Sequence, residues 1–275
     1  MESKMGKDSY IGVFDSGIGG MTVVQSIVET MPKENIIYFG DTAHVPYGTR
    51  SKAQITEYVL ADVEFLRQFD LKAMVIACNT ADSVAKEKVV ETYPDMPVFG
   101  VVEPASAQAA KTTRNGKIGV IATNATVKTK AYQMAIARYN PDAQVFMKAC
   151  PLLVPLVENG QYRVGNPVVN LILADYLKPL AEQGIDTLVL GCTHYPLLAD
   201  AISSLFPELT LISSSTAAAA CLKETLQSEH LERGSADPGT RQFFVSDAAE
   251  NFQEQAEILL GEALTDPVQQ VTLLD

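Results

Sequence analysis

The chain is a series of short, almost wholly apolar runs separated by amphipathic stretches, and this alternation constrains its fold more than any other feature. The runs are YIGVF (10–14), NIIYF (35–39), AMVIA (73–77), MPVFGVV (96–102), KIGVIA (117–122), AQVFMKA (143–149), DTLVLG (186–191) and LTLIS (209–213). Such runs read as strands apolar on both faces. In SKAQITEYVLADVEFLRQF (51–69) and NPVVNLILADYLKPLAEQG (166–184), apolar residues instead recur every third or fourth position, as on a helix. Strand–helix alternation of this kind predicts an α/β protein with mostly parallel sheets flanked by helices. Pro46-Tyr47-Gly48 breaks the chain before the helix at 51, and Gly184 stands at an expected helix C-cap.

The series also repeats itself. VIACNTADS (75–83) and LVLGCTHYP (188–196) both end an apolar strand in a cysteine followed by small polar residues, and IGVFDSG (11–17) is matched by IGVIATN (118–124). The cysteines stand 114 positions apart and the Ile-Gly-Val strands 107. Two similar α/β domains are therefore expected, with a link near EPASAQAA (103–110). One comprises residues 8–103 together with 216–275, the C-terminal, largely helical stretch packing back on it; the other comprises 104–215.

With 33 acidic and 21 basic residues the formal net charge is −12, which disfavours nucleic acid and anionic membrane surfaces as partners. No apolar run approaches the roughly 20 residues of a membrane span. MESKMGKDSY lacks the apolar core of a signal peptide, so a cytoplasmic location is expected. The four cysteines (Cys78, Cys150, Cys192, Cys221) form no CxxC pair, and only three histidines are present. Neither a disulfide framework nor a metal centre is expected.

Ligands of open α/β sheets bind beyond the carboxyl ends of the strands. That rule selects Asp15-Ser16-Gly17, Asp41-Thr42, Cys78-Asn79-Thr80, Thr123-Asn124 and Cys192-Thr193-His194. Were the two domains to face each other across a cleft, the two cysteines would meet there from opposite sides. Two thiols on opposite faces of one carbon suit inversion of a stereocentre: a thiolate removes a proton from one face and a thiol returns one to the other. The small polar residues after each cysteine read as helix starts, which favour thiolate formation. Asp15 and His194 are candidates to hold or relay the proton, and Asn79, Thr80 and Thr193 to bind a substrate carboxylate through helix-start N–H groups.

Other readings of the same residues stand beside this one. Either cysteine alone reads equally as a small buried apolar residue, and Cys150 and Cys221, in unmatched contexts, keep that reading. Asp15-Ser16-Gly17 also reads as a capped strand-to-helix turn, His194 as a satisfied core histidine, and His44, Tyr47 and Gly48 as loop and turn residues. GIGG (17–20) with Asp41 is a weak dinucleotide-binding match, since Thr22 occupies the third glycine position.

Taken together, FDSGIGG, DTAHVPYG, ACNTA, VVEPA, IGVIAT, CPLLVPLVENG, LGCTHYPLL and FFVSDAAENF resemble the cofactor-independent glutamate racemases of the aspartate/glutamate racemase group over most of the chain. The resemblance implies two α/β domains enclosing a buried site in the interdomain cleft. It implies no cofactor, pyridoxal phosphate included, with Cys78 as the base toward D-glutamate and Cys192 toward L-glutamate. Asp15 and His194 would assist their respective cysteines, and Glu158 would participate further. Implied substrate contacts are Asp15, Ser16, Tyr47, Gly48, Asn79, Thr80, Thr123, Thr126, Thr193 and His194. The family provides D-glutamate for peptidoglycan, and many members are homodimers, so both are expected here. Two positions depart from the family pattern: Ser213 stands where aspartate is usual and His44 where arginine is common. Alternatives are a racemase for aspartate or another small amino acid, a binding protein that keeps the fold, and a nicotinamide-dependent oxidoreductase.

Overall fold

The computed structural model describes residues 6–260, 263–264 and 266–273; half of the MESKMGKDSY stretch behind the signal-peptide reading, residues 1–5, lies outside that range. Among the described residues, ten strands form two sheets. The first contains β1 (Tyr10–Asp15), β2 (Ile36–Gly40), β3 (Leu71–Ile76), β4 (Val98–Gly100), β9 (Arg241–Val245) and β10 (Gln269–Gln270), in the order β10-β9-β2-β1-β3-β4. The second contains β5 (Lys117–Ala122), β6 (Gln144–Ala149), β7 (Thr187–Gly191) and β8 (Thr210–Ser213), in the order β6-β5-β7-β8. Every pairing in both sheets is parallel. The order 2-1-3-4 of the first four strands is thus repeated by the next four. The likeness between the halves is topological as well as textual.

The apolar runs are continuous because each sheet is covered on both faces. Along β1, Ile11 and Val13 enter one core while Phe14 enters the opposite one. Along β2, Ile36 and Tyr38 alternate with Ile37 and Phe39 in the same way. In the second sheet Leu188 and Leu190 face one core and Val189 the other. Each fully buried Ile, Leu, Val or Phe contributes ~1.5–3 kcal/mol relative to exposure, so a one-residue slip of register would expel a whole face.

The helices follow the expected pattern with small changes at their ends. The stretch 51–69 forms a helix over Lys52–Leu66, with Ser51 accepting the Gln54 N–H at 3.2 Å as an N-cap. The stretch 166–184 forms Pro167–Ala181, followed by Gly184 at φ +77°. The stretch 103–110 is no free linker. It lies within the helix Val102–Thr112, whose Val102, Ala105 and Ala109 pack with Ile118, Val120 and Val189 of the second sheet. The preceding strand is correspondingly short, because the Asp82 carboxylate accepts the N–H groups of Val101 and Val102 at 2.8 and 2.7 Å and starts the helix there. Helix Ser214–Ser228 packs on Met21–Thr30, and β9 pairs with β2. Among the described residues, no helix is long and apolar enough to cross a membrane.

Candidate active site

The loops after β1 and β3 face those after β5 and β7, at the switch point of each sheet, where the rule for open α/β sheets places ligands. Between them lies a cavity of about 280 Å³, on the scale of a small metabolite. Cys78 and Cys192 both line it, each only 6% exposed. Ser16, Tyr47, Gly48, Asn79, Thr80, Thr123, Glu158, Thr193 and His194 line it too. A larger groove of about 1080 Å³ shares Gly48, Thr49 and Asn124 with this cavity but holds neither thiol.

The two cysteines sit in different surroundings. Cys78 directly precedes the fourteen-residue helix Asn79–Thr92, as its small polar neighbours predict. Ser16 Oγ lies 3.6 Å from its sulfur, and the Ala81 N–H is directed at it. Burial and the nearby Asp15 nevertheless outweigh these donors and push the thiol up to about 12. Cys192 opens no helix: a turn and the short 3-10 segment Tyr195–Leu198 follow it, so Thr193 offers no helix-start N–H. Its sulfur instead faces His194 Nδ1 at 3.8 Å, and His194 Nε2 lies 3.1 Å from Glu158 Oε1. Burial lowers the His194 pKa, but hydrogen bonding and attraction to Cys192 and Glu158 more than offset it and bring the imidazole to about 10. Cys192 is thereby matched to a cation and Cys78 is held as a neutral thiol.

Gly191, just before Cys192, is required for the close approach of β7 to β5, since a Cβ there would lie 2.7 Å from the Ile121 carbonyl oxygen. Asp15 and Thr126 stand behind the cavity wall. The Asp15 carboxylate is fully buried, accepts the Gly17 N–H at 3.0 Å, and is 3.4 Å from the Thr193 hydroxyl of the opposite lobe. Burial raises its pKa, and His194 and the Gly17 and Gly20 N–H groups oppose that rise. Thr126 Oγ1 is 3.1 Å from Thr123 Oγ1, which in turn meets Thr80 Oγ1 across the cleft at 2.9 Å. The Asn79 amide is a strut between lobes, accepting from the Tyr132 hydroxyl and donating to Ser214 Oγ at 3.2 Å. Thr22 Oγ1 completes a second seam, donating to the Thr193 carbonyl at 3.0 Å and meeting Ser215 Oγ at 2.8 Å.

Sequence reasoning set Cys150 apart, yet it lines the same cavity together with Pro151, Val154 and Pro155. Its position at the end of β6, beside β5, is the signal that points there. Ser213 caps the helix Ser214–Ser228, accepting the Thr216 N–H at 3.4 Å. His44 lies outside the cavity, with Nδ1 2.8 Å from Asp41 Oδ1. Among the described residues no cluster of three or more His, Cys, Asp or Glu is arranged to hold a metal ion.

Buried thiols from two α/β lobes of repeated topology thus share one small cavity. The family model for Asp/Glu/hydantoin racemases matches residues 11–222. A glutamate racemase from Neisseria meningitidis is 46% identical over 269 residues, covering 98% of each chain. The crystal structure of glutamate racemase isoform RacE1 from Bacillus anthracis superposes with a TM-score of 0.92 at 39% identity, covering 97% of this chain and 98% of that one. That of the Francisella tularensis glutamate racemase in complex with D-glutamate has a TM-score of 0.89 at 34% identity, with the same coverage. The chain belongs to the Asp/Glu/hydantoin racemase family.

Proposed function

We propose that the protein interconverts L-glutamate and D-glutamate without a cofactor, by two-base proton transfer between Cys78 and Cys192. The observation that carries this reading is the placement of the two thiols in one cavity with opposite electrostatic surroundings. Like charges in a dry site oppose each other, and the Cys192 sulfur is among the groups that raise the cost of ionising Cys78. In the direction from L-glutamate, Cys192 acts as the base beside the His194 imidazolium, opposite the Cys78 thiol. The Cys192 thiolate takes the α-proton of L-glutamate, the electron pair left on carbon is delocalised into the α-carboxylate, and the Cys78 S–H protonates the opposite face. D-glutamate leaves with the protonation states exchanged, and proton exchange with solvent, through His194 and Glu158 on the Cys192 side, restores them for the next L-glutamate. One proton is removed and one returned, with no net redox change.

In this reading Asp15 raises the proton affinity of Cys78, and His194 with Glu158 assists Cys192. Ser16, Tyr47, Gly48, Asn79, Thr80, Thr123 and Thr193 enclose the substrate, while Thr126 acts from behind through Thr123. The lobes are residues 8–103 with 216–275, and 104–215. The glutamate preference rests on the named activity of relatives covering nearly the whole chain. A role in supplying D-glutamate for peptidoglycan, a cytoplasmic location and a homodimeric state are part of the same proposal.

Proton NMR of the purified protein with L-glutamate in D2O, without added cofactor and paired with a chiral assay, tests the reading. Loss of the α-proton signal with appearance of D-glutamate is the expected result. Exchange with aspartate but not glutamate would move the assignment to the aspartate alternative, and no exchange with either would remove it.

A further inference from the structure

Helix Lys52–Leu66 buries Ile55, Val59, Asp62, Val63 and Leu66 on one side, and Asp62 is the only acid in that stripe. Its side chain is completely buried, and one carboxyl oxygen, Oδ1, has no hydrogen-bond partner. The other, Oδ2, lies 3.0 Å from the hydroxyl of Tyr47, whose backbone belongs to the turn walling the substrate cavity. The same hydroxyl lies 2.6 Å from Asp41 Oδ2. Asp41 also accepts from Ser246 Oγ at 2.8 Å and faces His44 Nδ1 at 2.8 and 2.9 Å.

The proton count decides how these groups are joined. A phenol has one proton to give and two carboxyl groups compete for it. Donated to Asp41, at the shorter distance and into the carboxylate already served by other donors, it leaves the Tyr47 oxygen facing Asp62 as an acceptor. The 3.0 Å contact is then a hydrogen bond only if Asp62 carries its own proton. We infer that Asp62 is a neutral carboxylic acid that donates to the Tyr47 phenol and thereby positions the Tyr47–Gly48 wall of the substrate cavity. Burial, then repulsion from Asp41, pushes the Asp62 pKa well up, in agreement with the proton count.

What the chain Asp62–Tyr47–Asp41 positions is visible across the cleft. Tyr47 is 1% exposed, and the Arg50 N–H closes the turn onto the Tyr47 carbonyl at 3.0 Å. Gly48 follows so close to Thr123 of the other lobe that a Cβ would come within 3.1 Å of it. A Tyr47 ring free to tilt would carry Gly48 away from Thr123 and loosen the wall that contacts substrate in ground and transition states alike. Asp62 is thus a positioning residue, and its loss should act on KM more than on kcat. This inference rests on the reading of the cavity as the glutamate site.

Two variants and one spectrum test it. Asp62→Asn keeps a neutral donor toward Tyr47 and should hold KM within about threefold of wild type, whereas Asp62→Leu, which fills the space without a donor, should raise KM about tenfold with kcat nearly unchanged. The wild-type-minus-Asp62→Asn infrared difference spectrum at neutral pH should contain the C=O stretch of a protonated carboxyl. Carboxylate bands in its place, an Asn variant as impaired as the Leu variant, or a Leu variant with wild-type KM would each overturn the inference. If Asp62→Leu does not fold, the spectrum and the Asn kinetics still decide. Were the protein inactive toward glutamate, the infrared result would still establish or refute the proton on Asp62, separating that failure from this one.

Discussion

His194 bridges Cys192 and Glu158, with Nδ1 3.8 Å from the sulfur and Nε2 3.1 Å from the carboxylate. Both ring nitrogens face groups that accept a proton, so the imidazolium is the form that satisfies both contacts. Glu158 is by far the most exposed of the three, with its side chain 38% exposed. The Cys192 sulfur is thus connected to the surface through one ring and one carboxylate.

Glu158→Gln removes the outer anion without changing shape. The His194 pKa should fall, because one of the interactions raising it is lost. The alkaline limb of kcat/KM for L-glutamate should move to lower pH, with an optimum reduced about tenfold, a fraction of a general acid–base contribution. A pH–rate profile of the variant superimposable on wild type would exclude Glu158 from the mechanism.

The same shift makes a statement about stability. The folded His194 pKa of about 10 lies above the ordinary histidine value of 6.5, so protonation favours the folded state. The contribution is fully present below about pH 6.5 and is lost as pH rises through the folded value. Wild-type Tm should fall more than that of His194→Asn between pH 7 and pH 10, measured by differential scanning calorimetry. Parallel pH dependence in the two proteins would show that His194 is not held as an imidazolium.

Cys78→Ser and Cys192→Ser should each lower racemisation by roughly 100-fold to 10,000-fold, the range of a lost acid–base group, because an alcohol ionises far less readily than a thiol. Cys150 lines the cavity but has its thiol turned onto the Lys148 carbonyl at 3.6 Å, and Cys150→Ser should retain activity within about threefold. A chiral assay of the three variants checks the ranking. A Cys150 variant as damaged as the other two would require a third thiol in the proton path.

Much of this arrangement is legible in the sequence because it depends on local pattern. Apolar runs mark the strands, and in parallel sheets strand ends converge on one edge, which brings Cys78 and Cys192 to a common site. What was missed depends on partners remote in the chain. The end of β4 and the helix at Val102 are set by Asp82, about twenty residues upstream. Asp62 stands out as an acid on an apolar helical face, but its pairing with Tyr47 and Asp41 cannot be read from that helix. The two thiols have matched sequence contexts and yet different environments, because Glu158 and Asp15 arrive from other segments.

Gly19 sits at the seam between the lobes. Gly19 belongs to the loop after β1, yet a Cβ at this position would lie 2.3 Å from Thr193 Oγ1 and 2.6 Å from His194 Nδ1 and Cε1. Those atoms belong to the opposite lobe, and they include the imidazole that faces Cys192. The overlap in Gly19→Ala can be relieved by parting the lobes or by turning His194 away from the sulfur, and either separates the catalytic groups while leaving both cores intact. An overpacked contact costs ~1–3 kcal/mol, so Tm should fall by no more than about 10 °C. Catalysis depends on sub-ångström placement, and kcat/KM should fall about 100-fold. Gly234→Ala, where a Cβ would meet nothing within 4 Å, is the matched control and should leave both quantities unchanged. A fully active Gly19→Ala would mean that the lobes close without the contact between Gly19 and the Thr193-His194 segment, and that the Cys192–His194 geometry is fixed from within the second lobe alone.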